Sequence, residues 1–597
     1  MRRTAATATV LLALAAFIPG SGPGSAAPGL PERLSALAVL ALSPAEAIEV
    51  QAIESNLEML GVPFETTADV SSALRAPVVV LAGALTNTVL SPAEREQLYA
   101  YVEAGGVVLA THVHGNQFFP LFGLAEFASH RANFRLHFLA SPRDAALRYL
   151  NRPEEQEIRL GDPERYQEVS WTTEYRLAGA EALGRYPNGA VAFARHYYGR
   201  GIAYCLGISF ADSTLRPALG QTYEAERQWA NVFAPSADAL RLLLRALYES
   251  HVHPFVLIHP IPDGQETALL LSHDLDARES FRNAVVFAAL EQRYGVTSTF
   301  FVTTKYFTDA TDIGYYTPRN VAHLRTVHAR GFDLGSHTVS HLKTFDRFPL
   351  GEPEVSFESY RPRETPTVIG EVKVSKELLE RDIPGQRTVS FRAGELSHPP
   401  QLIRALEAAG YRVDSTRAAG NTLTNYPYRA LRETHLGAPV TEIIEIPVTL
   451  DDSMGYLTAD NVEEVVAAWR HIIEANGENN AVTCLLIHPT DTTYKLEAEE
   501  RLLEAYRDQP VWIGDVSRFG LFARQRALVR LSVFAKRDQL LLRLNRARGE
   551  LPAGLTLAVE AGPRRATVVV EDSEGQRIPF TTRESRWRDR VFLVLRP

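Results

Sequence analysis

The first part of the chain alternates short apolar runs with amphipathic stretches. Residues 34–42 (LSALAVLAL), 76–84 (APVVVLAGA) and 107–113 (VVLATHV) predict buried β-strands, because their hydrophobic positions are nearly continuous. Residues 46–61 predict an amphipathic helix that ends at Gly61, and residues 91–106 predict a second helix with Ser91 as its N-cap. Residues 189–209 predict a hairpin. Buried strands that alternate with helices indicate a parallel α/β sheet.

Strands and helices alternate again from about Phe255 to Phe522, with a polar, proline-containing loop at Gly351–Thr367. After residue 526 the pattern changes to alternating apolar and polar residues separated by turn residues, which is typical of an antiparallel sheet. This tail predicts a small β-sandwich-like module.

The length of 597 residues is too great for one ordinary domain. The patterns predict four segments: a signal peptide at 1–27, an α/β domain at 31–251, a second α/β domain at 255–525 and a C-terminal β module at 527–597. The expected fold class is α/β.

Charge and cysteine content narrow the class of partner. The net charge is −9 and the sequence contains no long basic run, so nucleic acid is not an expected partner. The two cysteines, Cys205 and Cys484, lie in separate apolar runs and predict buried free thiols. A zinc site built mainly of cysteine is excluded by this count.

The first residues are typical of an export signal. Arg2 and Arg3 precede an apolar run at Val10–Ile18, and small residues at Gly24–Ala26 fit a cleavage site. The run is short for a membrane span, and no later segment is long and apolar enough to predict one. We therefore expect a secreted, periplasmic or cell-surface protein, with an uncleaved anchor as the alternative.

Candidate chemistry is concentrated in the second α/β domain. Asp274 and Asp276 follow a strongly apolar run, and residues two apart in a strand face the same side. Farther along, His337 and His341 lie four residues apart, a spacing that would place both on one face of a helical turn. One carboxylate and two histidines are a suitable set of zinc ligands that leaves positions open for water and substrate.

Three further polar residues follow short apolar runs in the same domain. Arg392 follows VSF, Asp414 follows YRV, and His488 follows the very apolar AVTCLLI. Polar residues at the ends of strands in an alternating α/β scaffold converge on one rim, where barrel enzymes build their active sites.

Together, these motifs resemble the NodB-homology polysaccharide deacetylases, carbohydrate esterase family 4, in family order over roughly 270 residues. The resemblance implies a distorted (β/α) barrel. The family's first motif usually has adjacent aspartates, whereas here Leu275 separates them, and the third motif has Ala393 and Gly394 after its arginine.

The resemblance also implies a role for each site residue. Asp276, His337 and His341 would hold a divalent metal ion, zinc in the first instance. Asp274 would be the general base, and Arg392 would tether it. His488 would be the general acid, and Asp414 would orient and tune it.

Residues 31–251 resemble the class I glutamine amidotransferase-like fold, a flavodoxin-like α/β sandwich. That family places a nucleophilic cysteine in a sharp turn after a strand, whereas residues 107–115 offer Thr111 and His112 but no cysteine. We interpret this domain as lacking amidotransferase activity, with a role in substrate contact or assembly. His112 and His114 are interpreted as structural rather than metal-binding.

The leading functional hypothesis is a metal-dependent hydrolase that removes acetyl groups from a polysaccharide, most simply an N-acetylated sugar polymer. One alternative is a hydrolase of a non-sugar amide on the same fold. Another, from a different class, is a catalytically inactive carbohydrate-binding or assembly protein.

Overall fold

A computed structural model describes residues 9–12, 32–34, 37–141, 143–161, 170–219, 229–309, 313–536, 539–546, 549–561 and 564–596. The chain forms two compact units, each assembled from separate segments. The first unit comprises residues 1–216, 235–264 and 526–597, and the second comprises residues 217–234 and 265–525. The four segment boundaries proposed from the sequence stay predictions.

The α/β part of the first unit is built on a mixed eleven-stranded sheet. Its parallel part runs, in spatial order, through Phe64–Thr67, Leu37–Ala41, Val78–Ala82, Val107–Thr111 and Gly201–Leu206. The sheet continues with antiparallel strands Val191–Tyr198, Glu181–Arg185, Arg135–Phe138 and Glu157–Arg159. Strands Leu124–His130 and Thr172–Leu177 pair with each other beside this path. The three predicted buried strands and the predicted hairpin are confirmed.

The predicted helix ends of this unit are also confirmed. Helix Ala47–Leu60 ends at Gly61, which has a φ of 69°, a conformation that glycine adopts without a steric penalty. Helix Pro92–Glu103 begins at Ser91, whose side chain accepts from the N–H of Glu94 in a capping box. The other helices within this unit are Val70–Ala73, Phe119–Phe122 and Ser236–His251.

The remaining described strands of the first unit form two further sheets. One has the order Thr9–Leu12, Arg564–Glu571, Gln539–Arg546, Val529–Lys536, Glu32–Leu34, and the other has the order Val256–Ile258, Thr556–Glu560, Arg590–Leu595, Phe580–Glu584. Residues of both sheets, among them Leu542 and Leu593, share one apolar cluster. The purely antiparallel arrangement expected from the sequence is wrong at one place, because Gln539–Arg543 runs parallel to Thr567–Glu571. The alternation of apolar and polar residues shows which face of the sheet each side chain lies on. It does not show whether the neighbouring strand runs parallel or antiparallel.

The predicted signal peptide is described only at Thr9–Leu12, which pairs antiparallel with residues 564–567. The other residues of 1–27, including the expected cleavage region, lie outside the described residues. Within the described part of the chain, no helix has both the length and the apolar character needed to cross a bilayer.

The second unit contains a ten-stranded sheet. In chain order its strands are β1 Thr267–Leu275, β2 Thr299–Val302, β3 Asp333–Ser336, β4 Ser390–Phe391, β5 Val413–Asp414, β6 Tyr428–Leu431, β7 Val440–Glu445, β8 Leu450–Asp451, β9 Val482–Ile487 and β10 Val511–Asp515. The spatial order is β6-β7-β5-β4-β3-β2-β1-β9-β8, with β10 also beside β1. All pairs are parallel except β6–β7.

Helices and a large apolar core accompany this sheet. The helices are Ser280–Tyr294, Pro318–Ala329, Val368–Asp382, Leu402–Ala409, Ala419–Thr422, Val462–Asn479, Tyr494–Tyr506 and Val516–Ala527. The curled sheet stays open between β6 and β8, so the expected distorted barrel is a half-barrel. The carboxyl ends of its parallel strands form one rim, where the candidate site residues lie.

Behind the rim, three ionisable side chains are buried together. His273 on β1 donates from Nε2 to Glu291 Oε1 at 2.7 Å, and its Nε2 lies 3.6 Å from Glu499 Oε2. Neither oxygen of Glu499 accepts a hydrogen bond from any described residue. Burial and the charge of Glu291 raise the pKa of Glu499 well above its usual value. The raised pKa favours the protonated form of Glu499 in the folded protein.

This proton makes stability depend on pH. In the unfolded chain Glu499 ionises near its ordinary pKa of 4.5, so its contribution to stability is present below that pH and is lost as pH rises toward the folded pKa. Glu499→Gln imitates the protonated carboxyl and cannot ionise. We expect the variant to gain stability relative to wild type between pH 5 and pH 8.

Urea unfolding at several pH values measures this difference. Glu500→Gln is the matched control, because Glu500 is the neighbouring residue and forms an exposed pair with Arg293 at 3.1 Å. If the difference in the free energy of unfolding between Glu499→Gln and wild type stays constant across the pH range, Glu499 does not hold the proton.

Candidate active site

The two aspartates of the first motif lie where β1 reaches the rim. Asp274 is its next-to-last residue and Asp276 follows its end. Asp274 is fully buried, whereas Asp276 is partly exposed. Each carboxylate faces a histidine of the second motif: His337 Nε2 lies 3.5 Å from Asp274 Oδ2, and His341 Nε2 lies 3.6 Å from Asp276 Oδ2. The prediction that both carboxylates face one site is confirmed.

The second motif is a loop, so the expected helical turn is wrong. His337 directly follows β3, and the backbone reverses through left-handed conformations at Thr338 (φ 64°) and His341 (φ 55°). The buried carboxylate of Glu371 accepts from the N–H groups of residues 339 and 340 at 2.8 and 2.7 Å. Glu371 thereby supplies the hydrogen bonds that a helix would have made internally, and the two imidazoles reach the same place.

The donor set fits a divalent metal ion. Candidate ligand atoms of Asp276, His337 and His341 all lie within 4.8 Å of one another. His337 Nδ1 donates to the Arg392 carbonyl at 2.9 Å, while its Nε2 makes no hydrogen bond to any described residue. Burial lowers the pKa of His337, which favours the neutral imidazole that metals bind. A fixed Nδ1–H with Nε2 facing two carboxylates is the arrangement expected of a ligand.

Arg392 holds Asp274 in place. It follows β4, is fully buried, and donates from Nη1 to Asp274 Oδ1 at 2.9 Å. Its other nitrogens donate to the carbonyl and hydroxyl oxygens of Ser415, both at 3.0 Å. A guanidinium fixed on two sides favours the ionised form of Asp274 and sets its direction.

His488 lies just beyond β9 and faces the same centre. Its Nε2 is 3.7 Å from Asp276 Oδ2, and its Nδ1 bonds to Asp452 Oδ1 at 2.6 Å. The second oxygen of Asp452 is 2.7 Å from Lys495 Nζ. Burial alone would raise the pKa of Asp452, but His488 and Lys495 lower it below the usual value. Asp452 is therefore an ionised carboxylate that orients the imidazole.

The structure corrects the partner of this histidine. Asp414 was expected to orient His488, but it lies at the end of β5, where it accepts from Thr416 Oγ1 at 2.5 Å and faces Glu445. Burial and the charge of Glu445 raise its pKa well above the usual range. The raised pKa favours the uncharged form of Asp414, and it is Asp452, not Asp414, that bonds to Nδ1 of His488.

Sequence reasoning did not select Asp452, Lys495 or Glu371. The signal for Asp452 was an aspartate pair directly after an apolar run, in TLDD, the same kind of signal that selected Asp274. Glu371 and Lys495 lie in helices Val368–Asp382 and Tyr494–Tyr506, where charged residues are common. The positions of these two residues along their helices do not distinguish them from ordinary charged surface residues.

One family model matches part of this chain. Residues 269–413 match the family model for polysaccharide deacetylases. The matched segment begins within β1 and ends within β5, so it contains the aspartates, both motif histidines and Arg392. A search of the curated proteins finds no match.

Several solved structures match part of this chain with low TM-scores. A Mycobacterium smegmatis protein assigned to the polysaccharide deacetylases has 18% identity and a TM-score of 0.35, covering 49% of this chain and 97% of its own. The peptidoglycan deacetylase PdaC from Bacillus subtilis has 14% identity and a TM-score of 0.27, covering 45% and 95%. BA3943, a CE4 family pseudoenzyme from Bacillus anthracis, has 11% identity and a TM-score of 0.27, covering 44% and 66%.

Other residues singled out in the sequence lie elsewhere. In the first unit, His112 Nδ1 and His114 Nε2 both contact Thr173 Oγ1, at 2.8 and 3.0 Å. Cys205 and Cys484 are buried free thiols, as predicted. Two further groups of three candidate ligands occur among the described residues, His273 with Glu291 and Glu499, and His488 with Asp451 and Asp452. Hydrogen bonds to neighbouring carboxylates already engage both histidines.

Proposed function

We propose that the second unit is a metal-dependent hydrolase that removes acetyl groups from a polysaccharide, most simply an N-acetylated one. The observation that carries the proposal is the convergence of three sets on one rim: a base fixed by Arg392, a three-residue ligand set and an acid fixed by Asp452. The rim belongs largely to the segment that matches the polysaccharide deacetylase model.

Asp276, His337 and His341 would hold the metal, with zinc the first candidate for one carboxylate and two imidazoles. A divalent cation there supplies Lewis-acid polarisation of the acetyl carbonyl and makes water more acidic. These three side chains come from two separate strand ends, so their positions are fixed by the sheet.

Asp274 is the proposed general base. It accepts a proton from the water that attacks the acetyl carbonyl, and its bond to Arg392 keeps it ionised before that step. Because Asp274 is fully buried, it has little freedom to turn away from the substrate. Its neighbour Asp276 remains a ligand rather than a second base.

His488 is the proposed general acid. An amine is a poor leaving group unless it is protonated, so the collapse of the tetrahedral species needs a proton donor on the leaving side. Asp452, ionised beside Lys495, favours the protonated imidazole and directs Nε2 toward the centre. The proton passes from Nε2 to the amine or alkoxide as the carbon–nitrogen or carbon–oxygen bond breaks.

The test combines metal content with acetate release. Purified protein is assayed on chitin oligomers, peptidoglycan and acetylxylan, and the metal is measured by mass spectrometry. We expect one tightly bound equivalent of metal and acetate from at least one polymer. His337→Ala should lose both, because it removes a ligand, whereas the exposed His435→Ala should lose neither.

The other outcomes identify the alternatives. Bound metal with no acetate from any polymer would favour a hydrolase of a non-sugar amide. Neither metal nor acetate from well-folded protein would favour a catalytically inactive carbohydrate-binding protein.

Two finer proposals concern the rest of the chain. We propose export through the sequence at 1–27, which N-terminal sequencing of protein recovered from outside the cytoplasm would test. We also propose that the α/β part of the first unit is a non-catalytic relative of the amidotransferase-like fold that contributes to substrate contact or assembly.

A further inference from the structure

A cavity of about 360 Å³ that is open to solvent lies within the second unit, and it is lined in part by the loop at Gly351–Thr367. Its walls include Tyr306, Phe307, Phe357, Tyr360, Arg361 and Arg363. The volume is near the lower end of the range for small-molecule pockets, roughly 300–1,000 Å³. The cavity therefore suits a small unit rather than a long stretch of polymer.

The cavity lies at the same rim as the proposed active site. Tyr306 follows β2 at its carboxyl end, and the N–H of Thr304 donates to the carbonyl of Thr338 at 3.1 Å. Tyr360 donates to Glu371 Oε1 at 2.8 Å. The other oxygen of Glu371 holds the backbone between His337 and His341. One wall of the cavity is thus two hydrogen bonds from the loop that carries the metal-binding histidines.

The lining matches the surface of a sugar. The Tyr306 ring packs edge-on against Phe357 at 5.1 Å between centroids and against Phe307 at 5.5 Å. Aromatic rings offer flat apolar faces to the C–H face of a pyranose, while nearby polar groups bind its hydroxyls. The hydroxyl of Tyr306 is buried and makes no hydrogen bond to any described residue. A buried hydroxyl without a partner is costly unless a ligand or water supplies one.

Charge also favours a neutral ligand. Two arginines line the cavity, and so do two glutamates, Glu358 and Glu364. The formal charges of these four side chains cancel, so the lining offers no net attraction for an anion. Arg361 donates from Nη1 to two backbone carbonyls of the same loop at 2.8 and 2.9 Å, which helps to fix the loop.

We propose that this cavity is a sugar-binding subsite that holds a neutral ring of the same polysaccharide whose acetyl group reacts at the metal centre. The inference rests on the proposed function and extends it from chemistry to substrate length. A chain long enough to reach the cavity gains contacts that a single sugar cannot make. The residues of the cavity therefore set the preference for long substrates and leave the chemical step unchanged.

The experiment compares short and long substrates. Tyr306→Ala and Phe357→Ala are assayed on acetylated oligosaccharides of increasing length, with kcat and KM measured for each. We expect KM for the longest oligomer to rise about tenfold, with kcat and the constants for the shortest substrate unchanged. Tyr306→Phe, which removes only the hydroxyl, should produce a smaller rise.

The matched control is Tyr294→Ala. Tyr294 is partly buried like Tyr306 but ends the helix that runs from the carboxyl end of β1 back to the start of the parallel strand β2, so it lies at the opposite end of the strands from the rim. It should leave the length dependence intact. The subsite would be overturned if the cavity variants lost the same fraction of kcat/KM on short and long substrates. It would also be overturned if kcat/KM of the wild-type enzyme did not depend on substrate length.

A separate measurement distinguishes this failure from failure of the proposed function. Calorimetry with Asp274→Asn and a non-reacting long oligomer measures binding without turnover. Binding that Tyr306→Ala weakens supports the subsite even if acetate is never released. If Tyr306→Ala does not change the affinity for the long oligomer, and the wild-type protein does release acetate, the subsite is overturned while the proposed function stands.

Discussion

Asp274→Asn is expected to lower kcat for acetate release by about 10²–10⁴-fold while leaving the metal content at the wild-type level. Asparagine keeps the shape of the side chain but cannot accept the proton of the attacking water. The proposed ligands Asp276, His337 and His341 are untouched, so metal loss cannot explain the effect. Steady-state kinetics and metal analysis of the same preparation test both halves of the result.

The substitution also has a stability cost, which must be measured beside it. Asp274 and Arg392 are both fully buried, and removing one charge of a buried pair costs about 3–5 kcal/mol. The bonds from Arg392 to Ser415 remain and limit the damage. Circular dichroism melting identifies the temperature at which the variant is folded. A folded, metal-loaded variant with kcat within about tenfold of wild type would exclude Asp274 as the base.

Asp452→Asn and Asp414→Asn should behave very differently. Asp452→Asn removes the negative charge that orients and protonates His488, and we expect kcat to fall on the order of 10²-fold or more. Asp414 bonds to Thr416 rather than to His488, and its raised pKa favours the uncharged carboxyl that an amide imitates, so kcat should stay close to wild type. The two variants are a matched pair because both residues are buried aspartates near strand ends.

The leaving group supplies an internal control for this comparison. A substrate with an activated ester needs no protonated leaving group, so Asp452→Asn should recover much of its activity on such a substrate. Recovery separates loss of acid catalysis from loss of folding. A large defect in Asp414→Asn with a small one in Asp452→Asn would restore the pairing first expected from the sequence.

Much of the local structure could be predicted because it is encoded locally. The apolar runs form strands with nearly the expected bounds. Ser91 caps the start of its helix and Gly61 caps the end of its helix, as expected. Capping and hydrophobic periodicity act over a few residues, so they are visible in one sequence. The candidate site benefited in the same way, because polar residues at the ends of apolar runs converge on one rim.

The errors arose where a choice depended on distant neighbours. The four-residue spacing of His337 and His341 suits a helix, but Glu371 binds the backbone between them and stabilises a loop. Similarly, Gln539–Arg543 runs parallel to its neighbour although its alternation gave no indication of direction. In both cases the deciding hydrogen bonds come from residues about 30 positions away along the chain.

The sequence by itself determined the chemical inventory: three aspartates, three histidines and an arginine, each in or shortly after a short apolar run, and hence the hypothesis of metal-assisted hydrolysis at one rim. Only the tertiary structure decided which carboxylate bonds to His488, that the pKa of buried Glu499 is raised, and that aromatic residues from two segments line one open cavity. The physical reason is the range of the interactions. Strand and cap propensities are properties of neighbouring residues, whereas pKa values, ion pairs and cavities depend on groups that folding brings together from distant parts of the chain.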